Sequence, residues 1–96
     1  MTQTPIAVFR NFPLASPGAV RLYEQEVEVI YPGLTSERTQ RIPYGQIAQI
    51  LLRKGLVFAT LVIESTGGHT LRVEAMPKNT AAQAQAAIQE RMNHLP

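Results

Sequence analysis

The chain has 96 residues, 45% of them hydrophobic, and it contains no cysteine. Its length fits one domain with its own core, so we expect residues 1–96 to form a single domain. Without cysteine, disulfides, thiolate nucleophiles and cysteine-bound zinc are excluded, and the reducing cytoplasm is the location we expect. The net charge is only +2 and the basic residues are scattered, so we expect no nucleic-acid partner.

Turn-forming residues recur at short intervals over about residues 6–75, and the segments between them have the composition of β-strands. Short strands between regularly spaced turns are typical of an all-β sandwich or barrel. The segment 38–42 is mostly polar, which predicts an edge strand or a highly exposed one. The seven predicted strands are 6–10, 19–23, 27–31, 38–42, 47–53, 57–65 and 69–75.

Alternation of apolar and polar residues assigns the faces of these strands. In the third strand it places Val27 and Val29 inward with Tyr31, and it places Glu26 and Glu28 outward. The fifth strand breaks the alternation, because its apolar residues can share one face only if the strand contains a bulge. Those residues are Ile47, Ile50 and Leu52.

The last two strands, 57–65 and 69–75, form the clearest predicted hairpin. Between them Gly67 and Gly68 can supply the positive φ that a tight hairpin turn needs. The second strand of this hairpin alternates strictly, with its polar residues outward. Its predicted inward residues are Leu71, Val73 and Ala75.

After Pro77 the composition changes to alanine and glutamine, and the spacing of apolar residues predicts an amphipathic helix over about 79–94. Thr80 followed by Gln83 has the pattern of a capping box, with Asn79 as a competing N-cap. The apolar face is rich in small residues near its start and bulkier towards its end. Its predicted members are Ala81, Ala84, Ile88, Met92 and Leu95.

The order of these elements resembles the bacterial pleckstrin-homology-like (PH-like) domains over roughly residues 19–93. The segments that carry the resemblance are RLYEQEVEVIY, IPYGQIAQILLRKGLVF and LVIESTGGHTLRVEAMPK. In the first of them the turn is Glu24-Gln25-Glu26, where the family often has asparagine, lysine and arginine. The resemblance implies a mainly β (α+β) fold: a barrel of about seven antiparallel strands in two near-orthogonal sheets, capped by one C-terminal helix. An unrelated small barrel with a helix is the alternative.

The resemblance also implies where a ligand would bind. Pleckstrin-homology folds are best known for holding phosphoinositide headgroups with several Lys and Arg of the first, third and sixth interstrand loops. The corresponding loops here, 12–17, 32–36 and 66–68, contain no basic residue, so we do not expect that mode of binding. Weaker candidate anion contacts are Arg53, Lys54, Arg10 and Arg38. A polar hairpin turn accounts for the first two as well.

No group of residues predicts catalysis. The chain has two histidines, His69 and His94, which are far apart in sequence, and it has no aspartate. A metal site needs several converging ligands, and acid–base catalysis needs a positioned partner. We therefore expect no catalytic residue, no metal, no cofactor and no enzymatic activity.

Two predicted strands, 6–10 and 57–65, are apolar on both faces, although most strands of a two-sheet fold bury one face. Either these strands contact both sheets and the helix covers the second face, or another chain covers it. The candidate interface residues are Phe58, Val62 and Phe9.

We expect a non-catalytic binding or assembly module that contacts protein, possibly itself as a homo-oligomer. The alternative is a peripheral lipid- or anionic-ligand-binding domain, although we expect weak or no membrane binding because two basic residues contribute only ~1 kcal/mol each.

Overall fold

The structure, a computed structural model, describes residues 4–11, 18–32 and 37–95. These residues form seven β-strands followed by one α-helix, and a single 3-10 turn, Tyr44–Gln46, joins the fourth strand to the fifth. The strands are β1 Ala7–Arg10, β2 Ala19–Leu22, β3 Glu26–Pro32, β4 Glu37–Pro43, β5 Ile47–Lys54, β6 Phe58–Ser65 and β7 Thr70–Pro77, and the helix is α1 Lys78–Asn93.

The strands pair into two antiparallel sheets, one in the order β1-β2-β3-β4 and the other in the order β5-β6-β7. The predicted mainly β fold with a C-terminal helix is therefore confirmed. The two sheets are open and do not close into a continuous barrel, because no ladder joins them in the described part of the chain. β4 lies at an edge, as its polar composition predicts.

One hydrophobic core is shared by the inner faces of both sheets and by α1. Burying each large aliphatic side chain stabilises the folded state by ~1.5–3 kcal/mol. Small residues of α1 let the helix backbone approach the sheets closely. The buried members are Val20, Leu22, Val27, Val29, Ile42 and Tyr44, then Ile47, Ile50, Ala59, Leu61, Ile63, Leu71, Val73 and Met76, and finally Ala81, Ala84 and Ile88.

The predicted bulge in β5 is confirmed. Ile47 pairs with Ser65 and Gln49 pairs with Glu64, so Ala48 has no residue opposite it. The extra residue shifts the alternation by one position, which lets the three apolar residues of this strand share the inner face.

A second bulge, in β7, was not predicted. Val73 pairs with Leu61 and Met76 pairs with Ala59, so two residues of β7 lie opposite the single residue Thr60. One of the two, Ala75, has a left-handed φ of 56°. The bulge turns Met76 inward, where it is fully buried, so the predicted inward position of Ala75 is wrong.

The turn between β6 and β7 forms as predicted. Gly68 has a φ of 87°, a conformation that glycine adopts without steric cost. The backbone N–H of Ser65 donates to the carbonyl of His69 over 2.8 Å, which closes the hairpin.

Side-chain hydrogen bonds fix the first sheet against the edge of β7. The Asn11 amide donates to the carbonyl oxygen of Glu74 over 3.0 Å, and its side-chain oxygen accepts the N–H of Gly18 over 2.7 Å. The Tyr31 hydroxyl accepts the N–H of Arg72 over 3.2 Å. The bonds to Glu74 and Arg72 satisfy backbone groups that the edge of β7 would otherwise leave unpaired.

The helix begins at Lys78, and Pro77 is its N-cap without a side-chain cap bond. The predicted capping box of Thr80 and Gln83 is therefore wrong, because β7 continues directly into the helix and places Asn79 and Thr80 in its first turn. The predicted apolar face is confirmed at Ala81, Ala84 and Ile88, which are buried, while Met92 packs partly buried against the core. Leu95 lies beyond the helix and is exposed, contrary to the prediction.

We predict that Ile88→Asp lowers the free energy of unfolding by more than about 3 kcal/mol, because an unpaired carboxylate would enter the core. Gln89→Asp, one residue further on the exposed face, should change it by less than about 0.5 kcal/mol. Urea denaturation followed by circular dichroism measures both. Equal stabilities of the two variants would contradict the packing described for α1.

The buried Tyr44 hydroxyl donates to the carbonyl oxygen of Tyr23 over 2.6 Å, and burial raises the pKa of Tyr44 above its usual value of 10.0. We predict that Tyr44→Phe costs about 1–2 kcal/mol at neutral pH, because that carbonyl loses its donor. Since the raised pKa favours the neutral form in the folded state, this stability is present below pH 10 and is lost as pH rises through the folded pKa. Unfolding curves at neutral pH and above pH 10 should therefore show a smaller difference between wild type and variant at the higher pH.

Candidate functional site

The three candidate interface residues do not form one exposed patch. Val62 is only 3% exposed in the single chain, and Phe9 packs partly buried against the core. Phe58 is also partly buried, at the start of β6 opposite Pro77. Their role in an interface stays a prediction.

Among residues 4–11, 18–32 and 37–95, the exposed large hydrophobic side chains lie elsewhere, and four of these five form two neighbouring pairs. One pair is at the start of the edge strand β1, and the other is in the turn between β5 and β6. The five residues are Ile6, Val8, Leu56, Val57 and Leu95.

The edge of β1 carries unpaired backbone groups. In the register of β1 with β2, Asn11 lies opposite Gly18 and donates its N–H to the Gly18 carbonyl over 3.2 Å. Hydrogen-bonded and non-hydrogen-bonded pairs alternate in an antiparallel ladder. The N–H and C=O groups of Ala7 and Phe9 therefore point to β2, whereas those of Val8 and Arg10 point away from the sheet.

A groove of about 370 Å³ runs beside this edge, between the start of β1 and the end of α1. One wall is apolar and comes from the sheet, and the other carries an acid, a base and an imidazole. The lining residues are Ile6, Ala7, Leu22, Ala87, Glu90, Arg91 and His94.

The turn between β5 and β6, residues 55–57, forms a tip that projects two aliphatic side chains. Leu56 is 99% exposed and Val57 is 68% exposed. The N–H of Gly55 donates to the carbonyl of Phe58 over 2.8 Å, and a Cβ on Gly55 would lie 3.1 Å from that same oxygen. The tight turn thus favours glycine at this position.

Three basic residues lie at the base of this tip. Two of the predicted anion contacts, Arg53 and Lys54, lie at its base and are exposed. A third cation, Lys78, donates its ammonium to the carbonyl of Leu56 over 3.0 Å. No local pattern in the sequence indicates Lys78, because the contact depends on β7 bringing the start of α1 beside a turn that is 22 residues away.

The other two predicted anion contacts lie on the first sheet, away from this tip. Arg10 is exposed at the end of β1, and Arg38 is exposed in β4. The guanidinium of Arg38 lies 6.0 Å from the centroid of the Tyr31 ring. The structure therefore brings only Arg53 and Lys54 together.

A polar cluster covers the outer face of β2, β3 and β4. Glu28 points outward as predicted but is only 3% exposed, because its carboxylate is surrounded. It accepts from Arg41 Nε over 2.9 Å, from Tyr23 Oη over 3.2 Å and from Arg21 over 3.4 Å. The hydrogen bond between Arg41 and Glu28, and then the charge of Glu28, raise the pKa of Arg41. Arg41 also pairs with Glu26 over 3.0 Å. Two acids and two bases satisfy one another here, which makes the cluster a structural element.

The part of the chain that the structure describes contains no group of three His, Asp, Glu or Cys side chains placed to hold a metal ion. His69 and His94 are both exposed. No helix among the described residues is long and apolar enough to span a membrane.

Comparison with known proteins gives a family and a fold. A sequence model of the family described as "Bacterial PH domain" matches residues 20–90. No curated protein matches the chain. Among solved structures, the chain is similar to the pleckstrin homology (PH) domain of USP37, with a TM-score of 0.64 and 13% sequence identity, over 97% of this chain and 96% of that one. At this identity the likeness shows the fold alone.

We predict that Glu28→Gln lowers the free energy of unfolding by about 1–2 kcal/mol, because Arg21 and Arg41 lose the carboxylate between them. The partial exposure of both arginines limits the cost. Glu26→Gln, which removes the more exposed ion pair with Arg41, should cost less than about 0.5 kcal/mol. Chemical denaturation of the two variants measures the difference, and a larger loss for Glu26→Gln would contradict this account.

Proposed function

The chain belongs to the bacterial PH domain family, and from that premise we propose that it is a non-catalytic module that contacts protein, with a second copy of itself as one partner. PH-like domains generally mediate protein or lipid binding. The observation that carries the proposal is the open edge of β1. We also propose a cytoplasmic location, because a chain without cysteine depends on no oxidising compartment.

Open strand edges bind extended segments by adding a strand to the sheet. Val8 and Arg10 each direct one N–H and one C=O away from β2, so this edge offers two donors and two acceptors. Among the backbone hydrogen bonds of the described residues outside the strand ladders, none uses these groups. Pro5 has no N–H, which limits the usable edge on its N-terminal side.

The other strand edges are less suited to this contact. The edge of β7 is already bonded to Asn11 and Tyr31. Along β5, α1 packs nearby and the Gln85 amide reaches the carbonyl of Ile50 at 3.5 Å. β4 presents exposed polar side chains over residues 38–41. β1 differs from these three because exposed Ile6 and Val8 add apolar contact area to the free backbone groups.

A second copy fits this edge because antiparallel pairing of β1 with itself is symmetric. Each residue i of one copy then contacts residue j of the other copy, and residue j of the first contacts residue i of the second, as a two-fold axis requires. With Val8 opposite Arg10 of the second copy, all four outward groups on each edge find partners across the axis. The two four-stranded sheets would become one continuous sheet of twice as many strands.

We predict that Val8→Pro converts a dimer of this chain into a folded monomer. Proline removes the outward N–H of Val8 without removing any bond to β2, and proline is tolerated at such edge positions. Sedimentation velocity at micromolar concentration measures the mass, and thermal melting reports whether the fold is kept. A wild-type chain that is monomeric under these conditions contradicts self-association.

The matched control is Ala7→Pro, which removes a donor that points to β2. It should lower the melting temperature, whereas Val8→Pro should leave it nearly unchanged. Phe58→Glu separates this edge from the face predicted in the sequence analysis. If Phe58→Glu produces a monomer and Val8→Pro does not, the dimer contact lies on the outer face of the second sheet and not at the β1 edge.

A further inference from the structure

The tip at residues 55–57 exposes more apolar side chain than a single surface residue would. Leu56 is 99% exposed and the adjacent Val57 is 68% exposed. Both are held in place by the Gly55 to Phe58 backbone bond and by the Lys78 ammonium on the Leu56 carbonyl. A fixed turn that presents two neighbouring aliphatic side chains to water indicates a contact with something apolar.

The charge around the tip indicates the nature of that contact. Arg53, Lys54 and Lys78 place three cations at the base of the two aliphatic side chains. In the described ranges, the recorded ion pairs join only Arg21 and Arg41 to glutamates, so none of the three cations is neutralised by a salt bridge. An apolar tip with three cations at its base complements a surface that is anionic outside and apolar beneath.

We propose that this tip inserts Leu56 and Val57 into the outer layer of a bilayer that contains anionic lipids, with Arg53, Lys54 and Lys78 at the level of the headgroups. The site is separate from the β1 edge, which belongs to the other sheet. It is also separate from the turn at 66–68, because the eight residues of β6 lie between the two turns and span roughly 27 Å.

A lipid surface fits the tip better than a protein pocket does. Two side chains on a narrow, convex turn bury far less than the roughly 800 Å² per partner that a stable protein interface needs. A bilayer requires no matching cavity, and it supplies both anionic headgroups and an apolar layer within a few ångströms of each other.

The test is sedimentation with vesicles of phosphatidylcholine alone and of phosphatidylcholine with one third phosphatidylserine, at low and high salt. The chain should bind the anionic vesicles, and salt should weaken the binding because it screens the cations. Arg53→Gln with Lys54→Gln should lower the partition coefficient about fivefold per cation. Leu56→Ser with Val57→Ser should lower it at least about tenfold.

The matched control is Leu95→Ser with Arg38→Gln, which removes one exposed apolar side chain and one cation away from the tip and should leave binding unchanged. Because the affected side chains are exposed, all these variants should have the same melting temperature as the wild type. Since the chain has no tryptophan, Val57→Trp supplies a single reporter, and its emission should shift to shorter wavelength on the anionic vesicles.

Three results would overturn the proposal. The first is a wild-type chain that does not sediment with anionic vesicles at low salt. That result would overturn the proposal even if Leu56 were found to contact a protein. Another is binding that the Leu56→Ser, Val57→Ser variant retains in full, which would mean attraction without insertion. The third is an unchanged emission of Val57→Trp on vesicles to which the protein is bound.

Discussion

The docking of α1 across the two sheets is the contact on which the rest of this fold depends. Each sheet is open and has an apolar inner face, and α1 packs against strands of both sheets. Ala81 and Ala84 have little volume, which lets the helix approach the strands closely, and Ile88 is fully buried in the shared core. This packing holds the strands in position, and with them the free edge of β1 and the turn at residues 55–57.

Much of this architecture follows from short-range patterns in the sequence. The β5 bulge could be predicted because Ile47, Ile50 and Leu52 cannot share a face in a regular strand. The β7 bulge could not, because strict alternation continues through Ala75 and only the pairing with β6 reveals the extra residue. The start of α1 was missed for a related reason: the capping signals at Asn79 and Thr80 are local, whereas the length of β7 is set by its partner strand.

The candidate surfaces were harder to predict than the fold. Alternation shows which way a side chain points relative to its sheet but does not show what covers it, as Val62 and Glu28 illustrate. Conversely, Leu56 and Val57 look like the beginning of an apolar strand in the sequence, and only the position of the turn makes them exposed. The hydrogen bond from Lys78 to this turn depends on the path of β7, and no local sequence pattern predicts that path.

The direct passage from β7 into α1 at Pro77 has a consequence for how the chain can vary in length. No loop separates strand from helix, so the rotational phase of α1 is set by the register of β7. A helix turns by 100° for each residue, so one residue inserted at this junction would rotate the alanine-rich face off the core and bring a glutamine-bearing face onto it. The turn at 66–68 connects strands whose pairing is set elsewhere, so length changes there leave the phase of the helix untouched. Variation in length is therefore compatible with this fold at its hairpin turns and incompatible with it at the strand–helix junction.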